Sequence, residues 1–366
     1  MESMGLKSDL TSFFNDRKVL VLGHTGFKGS WLSIWLKSLG ANLVGYSRPP
    51  ATSPNLFEVA QVSTGMKSIF GDICDLNDLI HLFEDERPEI VFHLAAQALV
   101  LESYSNPLET YMTNVIGTAN VLESIRKTSC TRTAIIVTSD KCYENRDRDY
   151  DFKEEDRLGG DDPYSSSKAC AEIITHAYRS SFFETRRQAQ RVGVATARAG
   201  NVIGGGDWAK DRLIPDAASS LSENKRVKIR NPNSTRPWQH VLDPLLGYLL
   251  LSIKLDSDAL AHSSGWNFAC RDGENYSVLQ VVEKFCDNWG KSKYLELGNF
   301  KTEKEAAKLS LSSKKAFKLL GWEAVLNIDS AVKYTSDWYL EHYYGNSEMN
   351  GFTLNQIEKY YNEYDK

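Results

Sequence analysis

Residues 17–31 of this chain constrain its fold more than any other segment. Four apolar residues at 19–22 predict a buried strand, and Gly23, Gly26 and Gly29 follow at intervals of three. After Gly29 the apolar residues recur with a helical period, which predicts a helix. A strand that turns sharply into a helix leaves backbone N–H groups at the positive end of the helix dipole, where a phosphate binds. The segment therefore predicts a turn that holds the pyrophosphate of a dinucleotide, with an ordinary βα turn as the alternative.

The composition restricts the classes of protein to which the chain can belong. Its 366 residues carry a net charge of −5 and are 42% hydrophobic, which is ordinary for a protein with one large core or two lobes. This charge does not favour nucleic-acid binding, and no apolar run approaches the length of a membrane span. The six cysteines are scattered and the N-terminus lacks an apolar signal-peptide core, so we expect a cytoplasmic protein with reduced thiols.

Strand-like and helix-like segments alternate between the glycine loop and about residue 200. The predicted strands are 43–46, 67–70, 90–94, 134–137 and 192–197, and the predicted helices are 76–84, 108–127 and 164–183. Short apolar strands separated by helices specify a parallel sheet that is covered on both faces. Right-handed crossovers then predict an α/β fold with a doubly wound, Rossmann-type parallel sheet, whose ligands bind at the carboxyl ends of the strands.

The regular alternation of strand-like and helix-like segments ends near residue 200. A glycine-rich loop at 204–208 and shorter elements predict a smaller C-terminal α/β lobe that binds the substrate, and two helices are expected near the C-terminus. We therefore assign residues 1–200 to a dinucleotide-binding domain, to which segments near 240–270 return, and residues 201–366 mainly to the substrate lobe. No repeat or low-complexity linker separates the two, so they should pack as one unit.

Tyr164 and Lys168 are spaced to place a phenol and an ammonium group on one face of a helix. Among the 17 tyrosines, Tyr164 is the only one with a lysine four residues later. Because the pKa of a free tyrosine is about 10, lowering it by three units requires about 4 kcal/mol of preference for the phenolate. The Lys168 ammonium and a positively charged nicotinamide ring are expected to supply that preference. The pair predicts a catalytic phenolate, and a solvated surface pair is the alternative.

Several motifs together carry a resemblance to a known family. They are the glycine loop, Tyr164-x-x-x-Lys168, His93-Leu-Ala-Ala-Gln97, Thr138-Ser-Asp-Lys-Cys-Tyr143, Ala199-Gly-Asn-Val-Ile-Gly-Gly-Gly-Asp-Trp208, Arg236-Pro-Trp-Gln-His-Val241 and Leu320-Gly-Trp322. In this combination the chain resembles the extended short-chain dehydrogenases/reductases, and among them the nucleotide-sugar 4,6-dehydratases. The similarity covers nearly the whole chain. The glycine loop and the Tyr/Lys spacing are common to many relatives, whereas the segment 201–208 and the Asp-Lys pair are specific.

The resemblance implies that a nicotinamide dinucleotide binds along the ends of the first strands. The residues expected to contact it are Gly23, Thr25, Gly26, Phe27, Lys28, Gly29, Arg48, Asp72, Ile73, Ala95, Ala96, Gln97, Asn114, Tyr164 and Lys168. The second strand ends at Arg48 instead of an acidic residue for the ribose hydroxyls of NAD, and an arginine there suits the 2′-phosphate of NADP. The family resemblance implies NAD, which we favour over NADP, with Asp72 contacting the adenine.

The resemblance also implies an internal redox cycle carried by five residues. Tyr164 takes the proton of the sugar O4 while C4 is oxidised, Ser139 hydrogen-bonds O4, and Lys168 holds the cofactor ribose. Lys141 then removes the C5 proton, Asp140 protonates the departing C6 hydroxyl, and hydride returns to C6. An Asp-Lys pair instead of Asp-Glu resembles the family members that act on CDP-glucose. A strand-end ion pair in solvent is the alternative interpretation of Asp140 and Lys141.

The substrate is expected to lie against arginines from the second half of the chain. Arg236 lies in a Pro/Trp-rich loop and offers a bidentate clamp for a diphosphate. The resemblance implies that Asn201 and Arg212 also contact the nucleotide-sugar, with a loop cap and a surface charge as the alternatives. Where relatives carry a basic pair after the Ala-Gln segment, this chain has Leu99-Val-Leu-Glu102.

Metal binding and assembly are the remaining expectations. No ligand cluster has metal spacing, and His93 on an apolar strand is expected to be a core residue. The amphipathic helices 108–127 and 164–183 resemble those that pair two subunits in this family. We therefore expect a homodimer or a dimer of dimers, although the internal helices of a monomer can show the same pattern.

Two other functions remain open from the sequence. The first is a related epimerase, decarboxylase or dehydratase acting on a UDP-, GDP- or dTDP-sugar, and pure 4-epimerase chemistry leaves Asp140 and Lys141 without a role. The second is a non-catalytic dinucleotide-binding sensor, which does not need Tyr164 or Lys168.

Overall fold

The computed structural model describes residues 5–145, 150–185, 191–270, 275–292, 294–297 and 309–366. Its strands are β1 (Lys18–Leu22), β2 (Asn42–Ser47), β3 (Lys67–Phe70), β4 (Ile90–His93), β5 (Thr133–Val137), β6 (Asp151–Phe152), β7 (Gly193–Arg198), β8 (Val202–Ile203), β9 (Val227–Ile229), β10 (Thr235–Arg236), β11 (Gln239–His240), β12 (Gly265–Asn267), β13 (Tyr276–Ser277), β14 (Leu295–Leu297) and β15 (Ser310–Leu311).

Within the described residues, seven of these strands form one parallel sheet in the order β12-β7-β5-β4-β1-β2-β3. Leu20 of β1 lies between Val44 of β2 and Val91 of β4, and all neighbouring strands of the sheet are parallel. The strand order reverses between β1 and β4, which is where a doubly wound sheet opens its ligand crevice. The predicted fold class is therefore confirmed, and each predicted strand of this sheet matches an observed one to within one residue at either end.

The helices lie between the strands and after them. They are α1 (Leu6–Phe14), α2 (Phe27–Ser38), α3 (Leu56–Val59), α4 (Leu76–Glu86), α5 (Val100–Ser105), α6 (Pro107–Tyr111), α7 (Gly117–Thr128), α8 (Pro163–Tyr178), α9 (Leu213–Ser222), α10 (Leu242–Ser257), α11 (Ala259–His262), α12 (Val278–Asn288), α13 (Lys314–Leu320), α14 (Ile328–Tyr344) and α15 (Met349–Tyr364).

Two predicted helices differ from the observed ones because each contains a π-helical turn. The segment expected as one helix at 108–127 consists of α6, a π turn at Met112–Ile116, and α7. The helix expected at 164–183 ends as α8 at Tyr178 and continues as a π turn at Arg179–Phe183. Side-chain periodicity does not reveal a π turn, because one extra residue in a turn leaves the apolar pattern on either side intact.

Both faces of the sheet are covered by apolar cores. Val19 and Val21 of β1 belong to one buried cluster, whereas Leu20 and Leu22 belong to the other. Alternate residues of a strand point to opposite faces, so a strand buried on both faces is a continuous apolar run instead of an alternating one. The continuous run at 19–22 is therefore the signature of this central position in the sheet.

The second half of the chain packs closely on the first. β12 extends the sheet beside β7, with Trp266 opposite Ala197, and α15 packs on α2 through a hydrogen bond from Trp35 Nε1 to Tyr361 Oη at 2.5 Å. The division of the chain near residue 200 stays a prediction. In the described part of the chain, no helix combines the length and the apolar character that crossing a membrane requires.

Candidate active site

The glycine loop between β1 and α2 has the geometry of a phosphate-binding turn. Gly23 has a φ of +93°, which side chains rarely adopt, and a Cβ atom there would lie 2.6 Å from the backbone nitrogen of Ala95. A Cβ atom on Gly29 would overlap the Gly23 carbonyl, so the third glycine lets α2 start against the strand. Gly26 provides no side-chain cap, which leaves the first N–H groups of α2, from Phe27 onward, available to an anion.

The ends of β2 and β3 carry the charged residues predicted to lie near the adenosine. Thr25 donates a hydrogen bond to the Arg48 carbonyl at 2.9 Å, which ties the glycine loop to the end of β2. Arg48 is exposed, with Nη1 3.1 Å from Glu109 Oε1 and Nε 3.9 Å from Asp72 Oδ2. This region therefore presents one guanidinium group between two carboxylates.

Residues after β3 and β4 line the same edge of the sheet. Ile73 is buried against α7, where the Asn120 side chain donates to its carbonyl at 3.0 Å. Ala95 and Ala96 are half-buried and follow the carboxyl end of β4. These positions agree with the crevice at which a doubly wound sheet binds its ligand.

Asn114 links the loop after β4 to the helix that carries Tyr164. Its Oδ1 accepts a hydrogen bond from the Gln97 backbone nitrogen at 2.8 Å, and its Nδ2 donates to the Gln97 carbonyl at 3.0 Å. The same amide donates to Ser167 Oγ at 2.9 Å, and Ser167 donates to the Tyr164 carbonyl at 2.7 Å. Asn114 lies in the first π turn, so that irregular turn holds the two walls of the crevice together.

Tyr164 is buried in the first turn of α8 and is hydrogen-bonded to the Ser139 side chain. Burial raises the pKa of Tyr164 to about 12, and the positive charge of Arg212 offsets part of that rise. The lowering expected from the sequence included the charge of a bound nicotinamide ring, so it stays a prediction. In the protein without bound cofactor, the cost of desolvating the phenolate outweighs the nearby positive charge.

Lys168 follows Tyr164 by one helical turn and is also buried, with Nζ 3.5 Å from the Val137 carbonyl. Burial lowers the pKa of Lys168 to about 8, and the Glu172 carboxylate acts in the opposite direction. The charge of Lys168 reaches His93, whose pKa is lowered to about 3 mainly by burial. His93 is therefore a neutral core residue, as the sequence predicted, with Nε2 3.1 Å from Thr118 Oγ1.

Ser139, Asp140 and Lys141 form a tight turn directly after β5. Ser139 Oγ accepts a hydrogen bond from the Lys141 backbone nitrogen at 3.2 Å and donates to Asp140 Oδ1 at 2.9 Å. Asp140 is buried, and within the residues that the structure describes its Oδ2 has no hydrogen-bond partner. A buried carboxylate oxygen without a partner is costly, so this atom is suited to meet a bound molecule. Lys141 is half-buried beside it.

Lys28 is the residue whose surroundings the sequence did not predict. It was expected only as part of the cofactor loop, yet its ammonium group interacts electrostatically with Asp140, Lys168 and Arg212. Burial, together with the two cations, lowers the pKa of Lys28 to about 7. The only sequence signal was its position between Gly26 and Gly29 in the glycine loop, at the start of α2.

The three predicted substrate residues occupy different positions. Arg212 donates to Asp207 Oδ2 at 2.8 Å, and its charge acts on both Tyr164 and Lys28, so the structure brings it into the cluster. Asn201 has a φ of +46° and follows β7 by three residues. Arg236 is buried on β10, and its Nη1 donates to the Thr235 carbonyl at 2.9 Å.

Gly200 is a second residue that sequence reasoning missed. A Cβ atom at this position would overlap the Asp140 carboxylate, so only a glycine lets that side chain lie where it does. The signal was available in the Ala199-Gly-Asn201 motif, but its partner could not be read from the chain. Among the described residues, no group of three or more His, Cys, Asp or Glu side chains is arranged to hold a metal ion.

The sheet, the glycine loop and the Tyr164/Lys168 pair beside Ser139 define a short-chain dehydrogenase/reductase of the extended type. The chain belongs to the GDP-mannose 4,6 dehydratase family, whose model matches residues 20–335. It is 45% identical to CDP-glucose 4,6-dehydratase of Salmonella typhimurium over 90% of this chain and 92% of that protein. It is 26% identical to human dTDP-D-glucose 4,6-dehydratase over 90% of this chain and 91% of that one.

Solved structures share the fold at lower identity. An epimerase from Methanothermobacter thermautotrophicus superposes with a TM-score of 0.79 at 22% identity, covering 92% of this chain and 96% of its own. The dTDP-glucose 4,6-dehydratase of Bacillus anthracis, solved in complex with NAD, superposes with a TM-score of 0.73 at 22% identity, covering 89% and 97%. At this identity the likeness establishes the architecture alone.

Proposed function

We propose that this chain is an NAD-dependent nucleotide-sugar 4,6-dehydratase that converts CDP-glucose to CDP-4-keto-6-deoxyglucose. The observation that carries the proposal is the buried Asp140 carboxylate, unpartnered at Oδ2 among the described residues and adjacent to Ser139. Hydride transfer alone needs only Ser139, Tyr164 and Lys168, so an additional acid and base beside them indicate a further elimination step. The 45% identity to a CDP-glucose 4,6-dehydratase supports the substrate.

The residues that surround the crevice fit a dinucleotide. The uncapped start of α2 and the close approach allowed by Gly23 suit the pyrophosphate. When bound, NAD supplies a hydride acceptor for C4, a hydride donor for C6 and a positively charged ring beside the site. NAD is favoured over NADP because Arg48, the cation at the end of β2 that suits a 2′-phosphate, is already paired with Asp72 and Glu109. Two carboxylates there repel an added phosphate.

Tyr164 and Ser139 act on the sugar O4 during oxidation at C4. Tyr164 keeps its proton in the protein alone, because burial raises its pKa to about 12. Lys168 and Arg212, with the positively charged ring that NAD would supply, favour release of the phenol proton to solvent, and the resulting phenolate accepts the proton of the sugar O4. Ser139 lies between Tyr164 and Asp140 and orients the same O4 by a hydrogen bond.

Lys141 and Asp140 act as the base and the acid of the elimination across C5 and C6. Once C4 is a ketone, Lys141 Nζ in its neutral form removes the C5 proton. Asp140 in its acid form gives a proton to the C6 hydroxyl, which leaves as water while the C5=C6 bond forms. After hydride reaches C6, the proton on Lys141 returns to C5. At the end of a turnover Tyr164 holds the O4 proton and Asp140 is ionised, so Tyr164 releases one proton to solvent and Asp140 takes one up, which restores both groups and balances the cycle.

The test is a substrate survey in deuterated water. Purified protein with NAD is incubated with CDP-, UDP-, GDP- and dTDP-glucose, and loss of water and deuterium at C5 are followed by mass spectrometry and NMR. We expect dehydration of CDP-glucose with solvent deuterium at C5, and at least a hundredfold slower dehydration by Tyr164→Phe. Dehydration of another nucleotide-sugar in preference to CDP-glucose overturns the substrate, and dehydration of none overturns the reaction.

We further propose that the chain works in the cytoplasm as a homodimer or a dimer of homodimers. All six cysteines are free thiols, which supports a reducing compartment. Leu108, Met112 and Ile116 are 79%, 49% and 43% exposed and recur every four residues along α6 and the π turn. Ile173 of α8 is 55% exposed, so the same two helices that the resemblance implicates in pairing present large apolar side chains to solvent. Such a surface favours a second copy of the chain as its partner.

A further inference from the structure

A buried carboxylate, Glu172, lies one helical turn beyond Lys168 on α8. It accepts hydrogen bonds from Thr138 Oγ1 at 2.5 Å and from Thr196 Oγ1 at 2.6 Å. Its two oxygens also accept from Arg198 Nε at 2.8 Å and Nη2 at 2.7 Å, in a bidentate ion pair. The side chains of the pair are only 5% and 3% exposed. Each of the two carboxylate oxygens therefore accepts two hydrogen bonds.

The far side of the Arg198 guanidinium continues the network. Its Nη1 donates to Tyr143 Oη at 2.6 Å, and Tyr143 donates to Asn267 Oδ1 at 2.7 Å. The same Nη1 donates to the Glu154 carbonyl at 3.1 Å. Arg198 lies on β7 and Asn267 on β12, so the network joins two strands of the sheet to the segment that follows β5.

The two ends of this network are the two ends of the catalytic turn. Thr138 directly precedes Ser139, and Tyr143 follows Cys142 at the end of the turn that contains Asp140 and Lys141. One end is bound by Glu172 and the other by Arg198. The ion pair thus spans the base of the turn and connects it to α8, which carries Tyr164 and Lys168.

We propose that Glu172 and Arg198 are positioning residues of the dehydration reaction. Their ion pair fixes the position of the Ser139–Lys141 turn relative to Tyr164 and Lys168. The proposal rests on the proposed function. A proton-transfer group displaced by about 1 Å loses rate steeply, whereas substrate binding at the nucleotide is untouched. Disruption of the Glu172–Arg198 ion pair should therefore lower kcat more than it changes KM.

A purely stabilising role predicts something different. A buried ion pair costs desolvation, and replacing both partners by apolar residues of similar size is often neutral for stability. Removing one partner leaves the other charge buried and unpaired, which is destabilising. A variant that removes both partners therefore separates the effect on stability from the effect on the position of the catalytic turn.

The experiment compares Glu172→Gln, the double variant Glu172→Met with Arg198→Met, and the control Asp256→Asn. Asp256 binds Arg132 at 2.6 Å and Arg17 at 3.2 Å near the amino ends of β5 and β1, away from the catalytic turn. Melting temperature, kcat, KM for CDP-glucose and the isotope effects on kcat from substrate deuterated at C4 or at C5 are measured for each protein with NAD.

We expect kcat to fall about a hundredfold in both Glu172 variants, with KM within threefold of wild type. The melting temperature should fall in Glu172→Gln and recover in the double variant, while kcat stays low. The C5 isotope effect should grow in both, since removal of the C5 proton becomes limiting. Asp256→Asn should lose stability with kcat and isotope effects unchanged.

Recovery of kcat together with stability in the double variant overturns the positioning role, as does an isotope pattern identical to wild type. Failure of the proposed function is distinct, because wild-type protein then dehydrates none of the sugars. If Glu172→Gln does not fold, the double variant alone decides between the two roles.

Discussion

Gly200 lies directly against the Asp140 carboxylate, so closely that a Cβ atom on the glycine would overlap it. The two residues are far apart in sequence, on the loops that follow β7 and β5. This contact fixes the direction of an acid whose Oδ2 lacks a partner among the described residues. The geometry of the elimination step therefore depends on a position that carries no functional group.

Replacing this glycine by alanine should damage chemistry and spare the fold. The overlapping atoms belong to the end of the Asp140 side chain, which can rotate away, so Gly200→Ala should fold. We expect kcat to fall about a hundredfold through loss of a positioned acid, with KM little changed. Steady-state kinetics with CDP-glucose measures this. Gly351→Ala is the matched control, because nothing lies within 4 Å of a Cβ atom there. Wild-type kcat in Gly200→Ala would remove the role given to Asp140.

Lys28 should make stability depend on pH. Its pKa is lowered from 10.5 to about 7 by burial and by the charges of Arg212 and Lys168. The unfolded chain then binds more protons than the folded one between those values, so the free energy of unfolding rises with pH in that window. The cost of the buried charge is complete below about pH 7 and is relieved above it.

Comparison with Lys28→Met tests this linkage. Urea unfolding at several pH values should show wild type gaining about 2 kcal/mol relative to Lys28→Met between pH 7 and 9. The exposed Lys359, replaced by methionine, should show no such difference. A flat difference between wild type and Lys28→Met contradicts the electrostatic environment described for this residue.

Freeing Arg48 should relax the choice of cofactor. Glu109 Oε1 lies 3.1 Å from Arg48 Nη1, so Glu109→Gln removes a negative charge and a competitor for the guanidinium group. We expect NADP to bind about tenfold more tightly to this variant, with NAD binding within twofold. Titration of intrinsic fluorescence with each cofactor gives both affinities. Glu358→Gln, which removes a surface ion pair with Lys7, is the control. An unchanged NADP affinity for Glu109→Gln counts against this account.

Leu108, Met112 and Ile116 form an exposed apolar stripe along α6 and the π turn. Introducing a charged side chain into this stripe should dissociate the proposed dimer. Ile116→Glu and Met112→Glu place carboxylates among apolar side chains that are 43% and 49% exposed in one chain. A buried unpaired charge at an interface is costly, so both variants should sediment as monomers at micromolar concentration. Phe317→Glu, at a 62% exposed position on α13, should leave the assembly unchanged. Wild-type assembly in both stripe variants means that this face does not pair.

Local features of the fold could be predicted because their causes are local. The strand at 19–22 and the helix after it follow from apolar spacing and from glycines that permit one tight turn. Tyr164 and Lys168 share a face because residues four apart in a helix are neighbours. The π turn at Met112–Ile116 could not be predicted, since it depends on Asn114 reaching Gln97 and Ser167.

The sequence by itself determined the doubly wound sheet, the phosphate-binding turn and the residue types at the site, because spacing along the chain sets local conformation and alternation sets the layers. Only the tertiary structure decided that Lys28 interacts with Asp140 and that Gly200 leaves room for the Asp140 carboxylate. The same holds for the ion pair of Glu172 and Arg198, which binds both ends of the catalytic turn. It also decided that the Tyr164 side chain is buried, which raises its pKa to about 12 in the protein alone. Each of these depends on burial and on distances between residues far apart in the chain, which no local pattern encodes.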